Sequence, residues 1–203
     1  MFDALIDFAW SVANTFPQSY VMGLATSGVA AGFFYLVFWK LLAEHLRHWR
    51  IQLDRRADSA QFKRELWHAL FTGAVGAILS CVVTYLGTMG LTKIYFDLST
   101  HHILVALATV PFVLLLDDFW FYWVHRMLHH PSIFKYVHAE HHRSLDVNPF
   151  TSMSFHWLEP LLLTLWIVPA ATFVPIYGPA LLVVQLSSPA LWHARQYQGA
   201  SGL

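Results

Sequence analysis

Long stretches without a charged residue are the feature of this sequence that most restricts its fold. Asp, Glu, Lys and Arg are absent from residues 21–39, 66–92, 98–116 and 160–194. A helix needs about 20 mostly apolar residues to cross the hydrocarbon core of a bilayer, because every backbone amide there must be bonded within its own segment. The first three stretches reach that length, and only 12% of the chain is charged, against roughly 25% in a soluble domain. The sequence therefore predicts an integral membrane protein.

The fourth stretch is too long for one ordinary crossing. Its 35 residues include Pro169, Pro175 and Pro179, and prolines interrupt helices or mark turns. We predict a helical hairpin with arms at residues 157–170 and 179–193, which dips into the bilayer and returns to the same side. A single long crossing is the alternative. The predicted fold class is all-α, with three transmembrane helices, this hairpin and a histidine-rich helical cap.

The distribution of basic residues predicts the orientation in the membrane. Six of the 12 Lys and Arg residues lie in residues 44–65, between the first and second stretches. Short loops rich in Lys and Arg stay in the cytoplasm, so the third span is predicted to end on the cytoplasmic side. Residues 125–142, which hold six of the 13 histidines, would emerge there. Acidic and basic residues are equal in number, which argues against a nucleic-acid partner.

Two groups of histidines have helical spacing. His125 and His129 are four residues apart on the predicted continuation of the third span, so their rings would share one face. His138, His141 and His142 repeat this spacing at i, i+3 and i+4, on a second predicted helix. Neutral imidazole is the commonest metal ligand in proteins. We therefore predict that these five histidines bind metal at the membrane surface, rather than being ordinary interfacial residues.

Carboxylates are placed to orient these imidazoles. A ligating histidine usually donates its second ring N–H to a carboxylate or a carbonyl. Asp118 lies two helical turns before His125, and Glu159 lies three residues after His156, so both are candidate partners. Asp117 is predicted to face solvent or lipid headgroups instead. Five histidines exceed the needs of one structural zinc ion and favour a site for two iron ions, although zinc remains open on ligand type.

Three elements taken together resemble a known family. They are D-F-W-F-Y-W-V-H-R-M-L-H (residues 118–129), H-A-E-H-H (138–142) and P-F-T-S-M-S-F-H-W-L-E (149–159). An H-x-x-x-H box, an H-x-x-H-H box and a later H-x-x-E in this order resemble the fatty acid hydroxylase/sterol desaturase superfamily, whose members are integral membrane non-haem di-iron oxygenases. We take residues 1–203 as a single membrane-embedded domain of this kind.

The resemblance implies a set of metal ligands for two iron ions. Trp157 stands where the family usually has a proline after the histidine of its third element, and Arg195 stands where an Asn usually follows the histidine beyond the hairpin. The implied ligands are His125, His129, His138, His141, His142, His156 and His193, with Asp118 and Glu159 as their hydrogen-bond partners.

The resemblance also implies an activity, the O2-dependent hydroxylation or desaturation of a lipid in lipid biosynthesis. The implied partners are a fatty acyl, sterol or related substrate and an external electron donor, which would be a reductase, a ferredoxin or a cytochrome. The family's further H-x-x-H-H box is not in this sequence, so we expect a domain that is incomplete at its C-terminal end. A non-catalytic metal-binding member is the alternative; a transporter fits less well, because the histidines lie beyond the third span.

Overall fold

The computed structural model describes residues 2–47 and 57–186. Within these residues nearly all regular structure is helical, which confirms the all-α prediction. The long helices are α1 (Phe2–Phe34), which continues as a π-helix (Tyr35–Leu41), α2 (Ser59–Thr88) and α3 (Ile103–Leu128). The short elements are α4 (Pro131–Phe134), α5 (Leu158–Thr164), α6 (Ile167–Phe173), strands β1 (Ile94–Tyr95) and β2 (Ile176–Tyr177), and 3-10 turns at His141–Arg143 and Thr151–Met153. Residues 178–186 are also helical.

Three helices are long and apolar enough to cross a membrane. They cover Phe2–Leu41, Ser59–Thr88 and Ile103–Leu128, and at most 22% of the most apolar window of each is buried inside the protein. The apolar side chains that remain exposed are suited to contact with lipid. The first helix starts well before the charge-free stretch at residue 21. Its first two turns include Asp3 and Asp7. Carboxylates are favourable at a helix N-terminus, where the backbone N–H groups are unpaired.

Helices α1 and α2 pack antiparallel to each other. The Thr15 hydroxyl donates to Cys81 Sγ at 3.2 Å, and the Tyr20 hydroxyl donates to the Leu70 carbonyl at 3.3 Å. The residue number rises along α1 while its partner's number falls along α2. Cys81 is fully buried at this contact, as a small packing residue.

The predicted hairpin is present within residues 158–186. Its first arm is divided between α5 and α6, because Pro169 has no N–H to offer to the Leu165 carbonyl. The arm reaches the far end of α2, where the Lys93 N–H donates to the Ala171 carbonyl at 2.7 Å. Strands β1 and β2 pair in parallel beside this contact, with Ile94 opposite Ile176.

The chain then returns beside its own first arm. Trp166 before the turn and Ala180 after it belong to one buried cluster with Val113 of α3. Further along, the Gln185 side chain donates to Thr26 Oγ at 2.8 Å, which joins the second arm to α1. The end of this arm, which carries His193 in the predicted hairpin, lies outside the described residues.

A second buried cluster positions the histidine-bearing end of α3. Val124 and Leu128 pack against Val137, next to His138, and against Leu163 of α5. Leu128 is fully buried. This cluster therefore joins the three chain segments that carry the two histidine boxes and the start of the hairpin.

Candidate metal centre

Four histidines converge at the end of α3. They are His125 and His129 on this helix and His138 and His142 on the segment after α4, and one ring nitrogen from each lies within 4.8 Å of the others. The Nε2 atoms of His129 and His125 are 3.1 Å apart, those of His138 and His129 are 3.2 Å apart, and those of His142 and His138 are 3.0 Å apart. The two boxes therefore present four nitrogens to one point.

The separations between these nitrogens fit the donor set of a metal ion. Neighbouring ligands at a metal–nitrogen distance of about 2.1 Å are separated by about 3.0 Å at right angles and about 3.4 Å in a tetrahedron. The observed contacts of 3.0 to 3.2 Å fall in this interval. Two opposed Nε2 lone pairs repel each other unless a proton or a cation lies between them. The residues present therefore fit a metal, and this cluster could bind one.

Local structure explains how each pair forms. His125 and His129 lie one turn apart at the end of α3, and the backbone N–H of His129 still donates to the His125 carbonyl. Residues 135–140 form turns and His141–Arg143 a 3-10 turn, so the regular second histidine helix predicted from the spacing was wrong. One helical contact remains, from the His142 N–H to the His138 carbonyl at 3.4 Å, and it keeps that i, i+4 pair together.

His138 is the most enclosed member of the cluster. It is fully buried, and its Nδ1 lies 2.8 Å from Oε1 of Glu159, which is also fully buried. A proton held on Nδ1 by this carboxyl group leaves the Nε2 lone pair free to face the other histidines. Glu159 therefore sets the ring orientation and the tautomer of His138.

Burial keeps the site neutral in the absence of a cation. Desolvation lowers the pKa of His138 to about 4 and raises the pKa of Glu159 to about 8. Desolvation and the neighbouring His138 also lower the pKa values of His129 and His142. Neutral imidazoles are the form that binds metal, so the protein environment favours that form at neutral pH.

His141 and His156, which were also predicted as ligands, lie outside the four-histidine group. The Nδ1 atom of His141 is 3.2 Å from the Ser154 carbonyl, and its ring stacks on Phe155. His156 Nδ1 faces the backbone N–H of Leu158 at 3.4 Å. His193 lies outside the described residues. The metal-ligand roles of these three residues remain predictions.

His130 has a different task. Its Nδ1 accepts from the Ser132 N–H, which caps α4 just before Pro131 at the first helical position. A proline there suits a helix start, so this pair reverses the chain between the two boxes. His130 follows His129 in the chain and is not among the four clustered histidines.

The two aspartates near the end of α3 have unequal environments. Asp118, predicted as a ligand partner, is exposed, and that role stays a prediction. Asp117, predicted to face solvent or headgroups, instead accepts from the buried Trp166 Nε1–H at 3.0 Å. The buried indole N–H needs an acceptor inside the apolar hairpin, and this carboxylate supplies it. Sequence reasoning missed this pairing.

The aromatic run before the first box divides between two roles. Phe119, Tyr122 and Trp123 are more than half exposed, as an interface belt requires. Trp120 instead donates to the Leu162 carbonyl at 2.8 Å, and Phe121 stacks on His125 with ring centroids 5.1 Å apart. The run therefore supplies exposed rings on one face of α3 and packing rings on another.

Comparison with known proteins indicates which family has histidine boxes of this kind. The fatty acid hydroxylase family matches residues 110–200, which include all four clustered histidines. The chain is also 32% identical to a Delta(7)-sterol 5(6)-desaturase of Aspergillus fumigatus over 136 residues, 63% of this chain and 37% of that protein. These matches support membership of the fatty acid hydroxylase/sterol desaturase superfamily.

Further relatives are named as enzymes that modify lipids. A Delta(7)-sterol 5(6)-desaturase of Gibberella zeae is 28% identical over 66% of this chain and 41% of its own length. A fatty acid hydroxylase of Mycosarcoma maydis is 36% identical over 48% of this chain and 25% of its own length. The chain thus spans about two fifths or less of these relatives. No solved structure matches it.

Proposed function

We propose that this superfamily member is a membrane-bound, non-haem di-iron oxidoreductase that uses O2 to hydroxylate or desaturate a lipid. The observation that carries the proposal is the convergence of four Nε2 atoms from the two histidine boxes. The named relatives act on sterols or fatty acids, which supports a lipid substrate.

The chain's own residues would hold and shield the metal. His125, His129, His138 and His142 would ligate it, and Glu159 would hold His138 in the ligating tautomer. Phe134 lies against His129 and His142, with ring centroids 5.7 and 5.4 Å away, and covers part of that side of the cluster. Bound iron would supply the activation of O2 and the oxidation of a C–H bond.

The second iron of the proposal needs further ligands. Within residues 2–47 and 57–186 the structure gathers four histidines around one point, which is enough for one ion. His141, His156 and His193 are the candidates for the second. A chain that binds one metal ion and turns over no lipid would instead be the non-catalytic metal-binding member.

The surroundings of the cluster suit an apolar substrate. Phe121 borders the cluster, with its ring stacked on His125 at 5.1 Å between centroids, so an apolar side chain lies beside the ligand nitrogens. We place the cluster on the cytoplasmic side. Half of the basic residues lie in residues 44–65, which lead into the start of α2, and the chain after the second box contacts that same end of α2. Electrons would come from a separate reductase, ferredoxin or cytochrome.

The test is metal content and oxygen-dependent turnover in purified, membrane-reconstituted protein. We expect two irons per chain. With a reductase system the protein should convert a Δ7-sterol or a fatty acid, and without O2 it should convert neither. His138→Ala and His142→Ala should each lose iron while still inserting into the membrane. His45→Ala is the control, because it removes an exposed imidazole far in the sequence from both boxes, and it should keep the iron. Unchanged iron in His138→Ala would refute the ligand assignment.

A further inference from the structure

Helix α2 carries a polar face that the metal centre does not use directly. Its members recur at i, i+3, i+4, i+7 and i+11, which places them along one side of the helix. This face is turned toward residues 140–155, the segment that links the second histidine box to Glu159. The members are Gln61, Arg64, Glu65, His68 and Thr72.

Glu65 is the centre of this face. It is fully buried, and its carboxylate accepts three hydrogen bonds from neutral groups. Oε1 accepts from Gln61 Nε2 at 2.8 Å and from the Thr151 hydroxyl at 2.9 Å, and Oε2 accepts from Asn148 Nδ2 at 2.8 Å. All three partners donate, so this arrangement requires the acceptor-only carboxylate. Two of the donors belong to the linking segment.

The partners of Glu65 are tied in turn to the backbone of that segment. Gln61 Nε2 also donates to the Asp146 carbonyl at 2.8 Å. The Asn148 side-chain oxygen accepts from the Phe150 N–H at 2.9 Å, and the Thr151 hydroxyl oxygen accepts from the Asn148 N–H at 3.0 Å. The directions of these hydrogen bonds are mutually consistent, so the network fixes the path of residues 145–151.

The rest of the face holds both ends of the segment. Glu140, inside the second box, lies 3.3 Å from both Arg64 Nε and His68 Nε2. His68 Nδ1 also faces the Phe155 carbonyl at 3.1 Å, and the Thr72 hydroxyl donates to the Met153 carbonyl at 2.9 Å. Apart from 3-10 turns at its start and middle, the segment has no regular structure, so these contacts with α2 decide where it lies.

We propose that Glu65 is a positioning residue for the metal centre: it anchors residues 145–151 on α2 and so holds His138 and His142 in place relative to Glu159. The inference rests on the proposed metal site but concerns a residue that touches neither the metal ligands nor substrate. A carboxylate is needed here because no uncharged side chain of this size accepts from three donors at once on both of its terminal atoms.

The variant Glu65→Gln tests this role with little change in volume. Its amide nitrogen would face Asn148 Nδ2, donor against donor, and the segment would shift. We expect roughly ten-fold weaker binding of Co(II), by analogy with the effect of losing other supports behind metal ligands. The visible spectrum of bound Co(II) should also change, because the angles between the nitrogens change. Lys63→Gln removes a charge from an exposed position in the same turn and should match the parent protein.

A second measurement does not depend on metal. Amide hydrogen exchange across residues 138–155 of the metal-free protein should become faster in Glu65→Gln and stay unchanged in Lys63→Gln. The double variant Glu65→Gln/Asn148→Asp restores one amide facing one carboxylate and should recover protection and Co(II) affinity.

The outcomes separate this inference from the proposed function. If the parent protein binds no Co(II), the metal proposal fails, and the exchange experiment still decides the anchoring. If the parent binds Co(II) and Glu65→Gln leaves its affinity and spectrum unchanged, the positioning role is refuted, even if the variant is less stable. Unchanged exchange in residues 138–155 would refute the anchoring itself.

Discussion

The pair of His138 and Glu159 offers a quantitative test of how the centre is assembled. The perturbations are Glu159→Gln, which keeps an oxygen acceptor, and Glu159→Leu, which removes it. The carboxyl oxygen and Nδ1 are 2.8 Å apart and both residues are fully buried, so water cannot replace the lost partner. A buried donor left unpaired costs about 1–3 kcal/mol.

The effect on metal affinity follows from the change in strength of this hydrogen bond. A metal on Nε2 makes the Nδ1–H more acidic and favours the ionised form of Glu159, and a hydrogen bond to a charged acceptor is roughly twice as strong as one to a neutral group. Losing such a support typically weakens metal binding by about 10- to 100-fold, or about 1.4–2.7 kcal/mol. We expect the loss of metal affinity to fall in this range for Glu159→Leu and to stay below ten-fold for Glu159→Gln.

The assay is titration of the metal-free protein with Co(II) in detergent, alongside thermal unfolding of the same samples. Glu44→Leu is the control, because Glu44 is exposed. Equal affinities for the parent protein and Glu159→Leu would refute the reasoning. A larger effect of Glu159→Gln than of Glu159→Leu would also refute it, because the ordering depends on the retained acceptor.

Two further predictions concern the fold that supports the centre. Trp166→Phe removes the only ring N–H that Asp117 accepts within the described residues, and we expect a loss of about 0.6–1.7 kcal/mol, the size of a hydrogen bond between membrane helices, in unfolding measured in detergent micelles. For orientation, Ser132→Cys beside the histidines should react with an impermeant maleimide only from the cytoplasmic face, and Ser99→Cys only from the opposite face; the reverse pattern would contradict the proposed topology. The native Cys81 is fully buried and should stay unlabelled.

The spans and the first histidine box could be predicted from sequence because both depend on local periodicity. The length of charge-free sequence identifies a helix that must satisfy its own backbone in lipid. The i, i+4 spacing of His125 and His129 then fixes their shared face as soon as α3 continues past the membrane. Neither inference needs knowledge of a distant residue.

The second box could not be predicted in the same way. Its spacing at i, i+3 and i+4 favours a helix, but tertiary contacts with α2 and with the Ser154 carbonyl override that preference. His141 lies outside the four-nitrogen group, with its Nδ1 3.2 Å from the Ser154 carbonyl. The sequence did contain a signal for the contacts with α2 that were not predicted. Gln61, Glu65 and His68 form a polar stripe at the edge of an apolar span, where unpaired polar groups are costly.

The four clustered histidines differ in burial, and this difference affects how much each contributes to metal affinity. His138 is fully buried and fixed by Glu159, whereas His129 and His142 are exposed. A preorganised ligand loses little freedom when metal binds, while an exposed side chain must be ordered at that moment. Replacing His138 should therefore weaken binding more than replacing His129, although both contribute one nitrogen. The support for His138 comes from Glu159 in the hairpin and from the second box held on α2, so the affinity of the centre depends on residues well outside the boxes that contain its ligands.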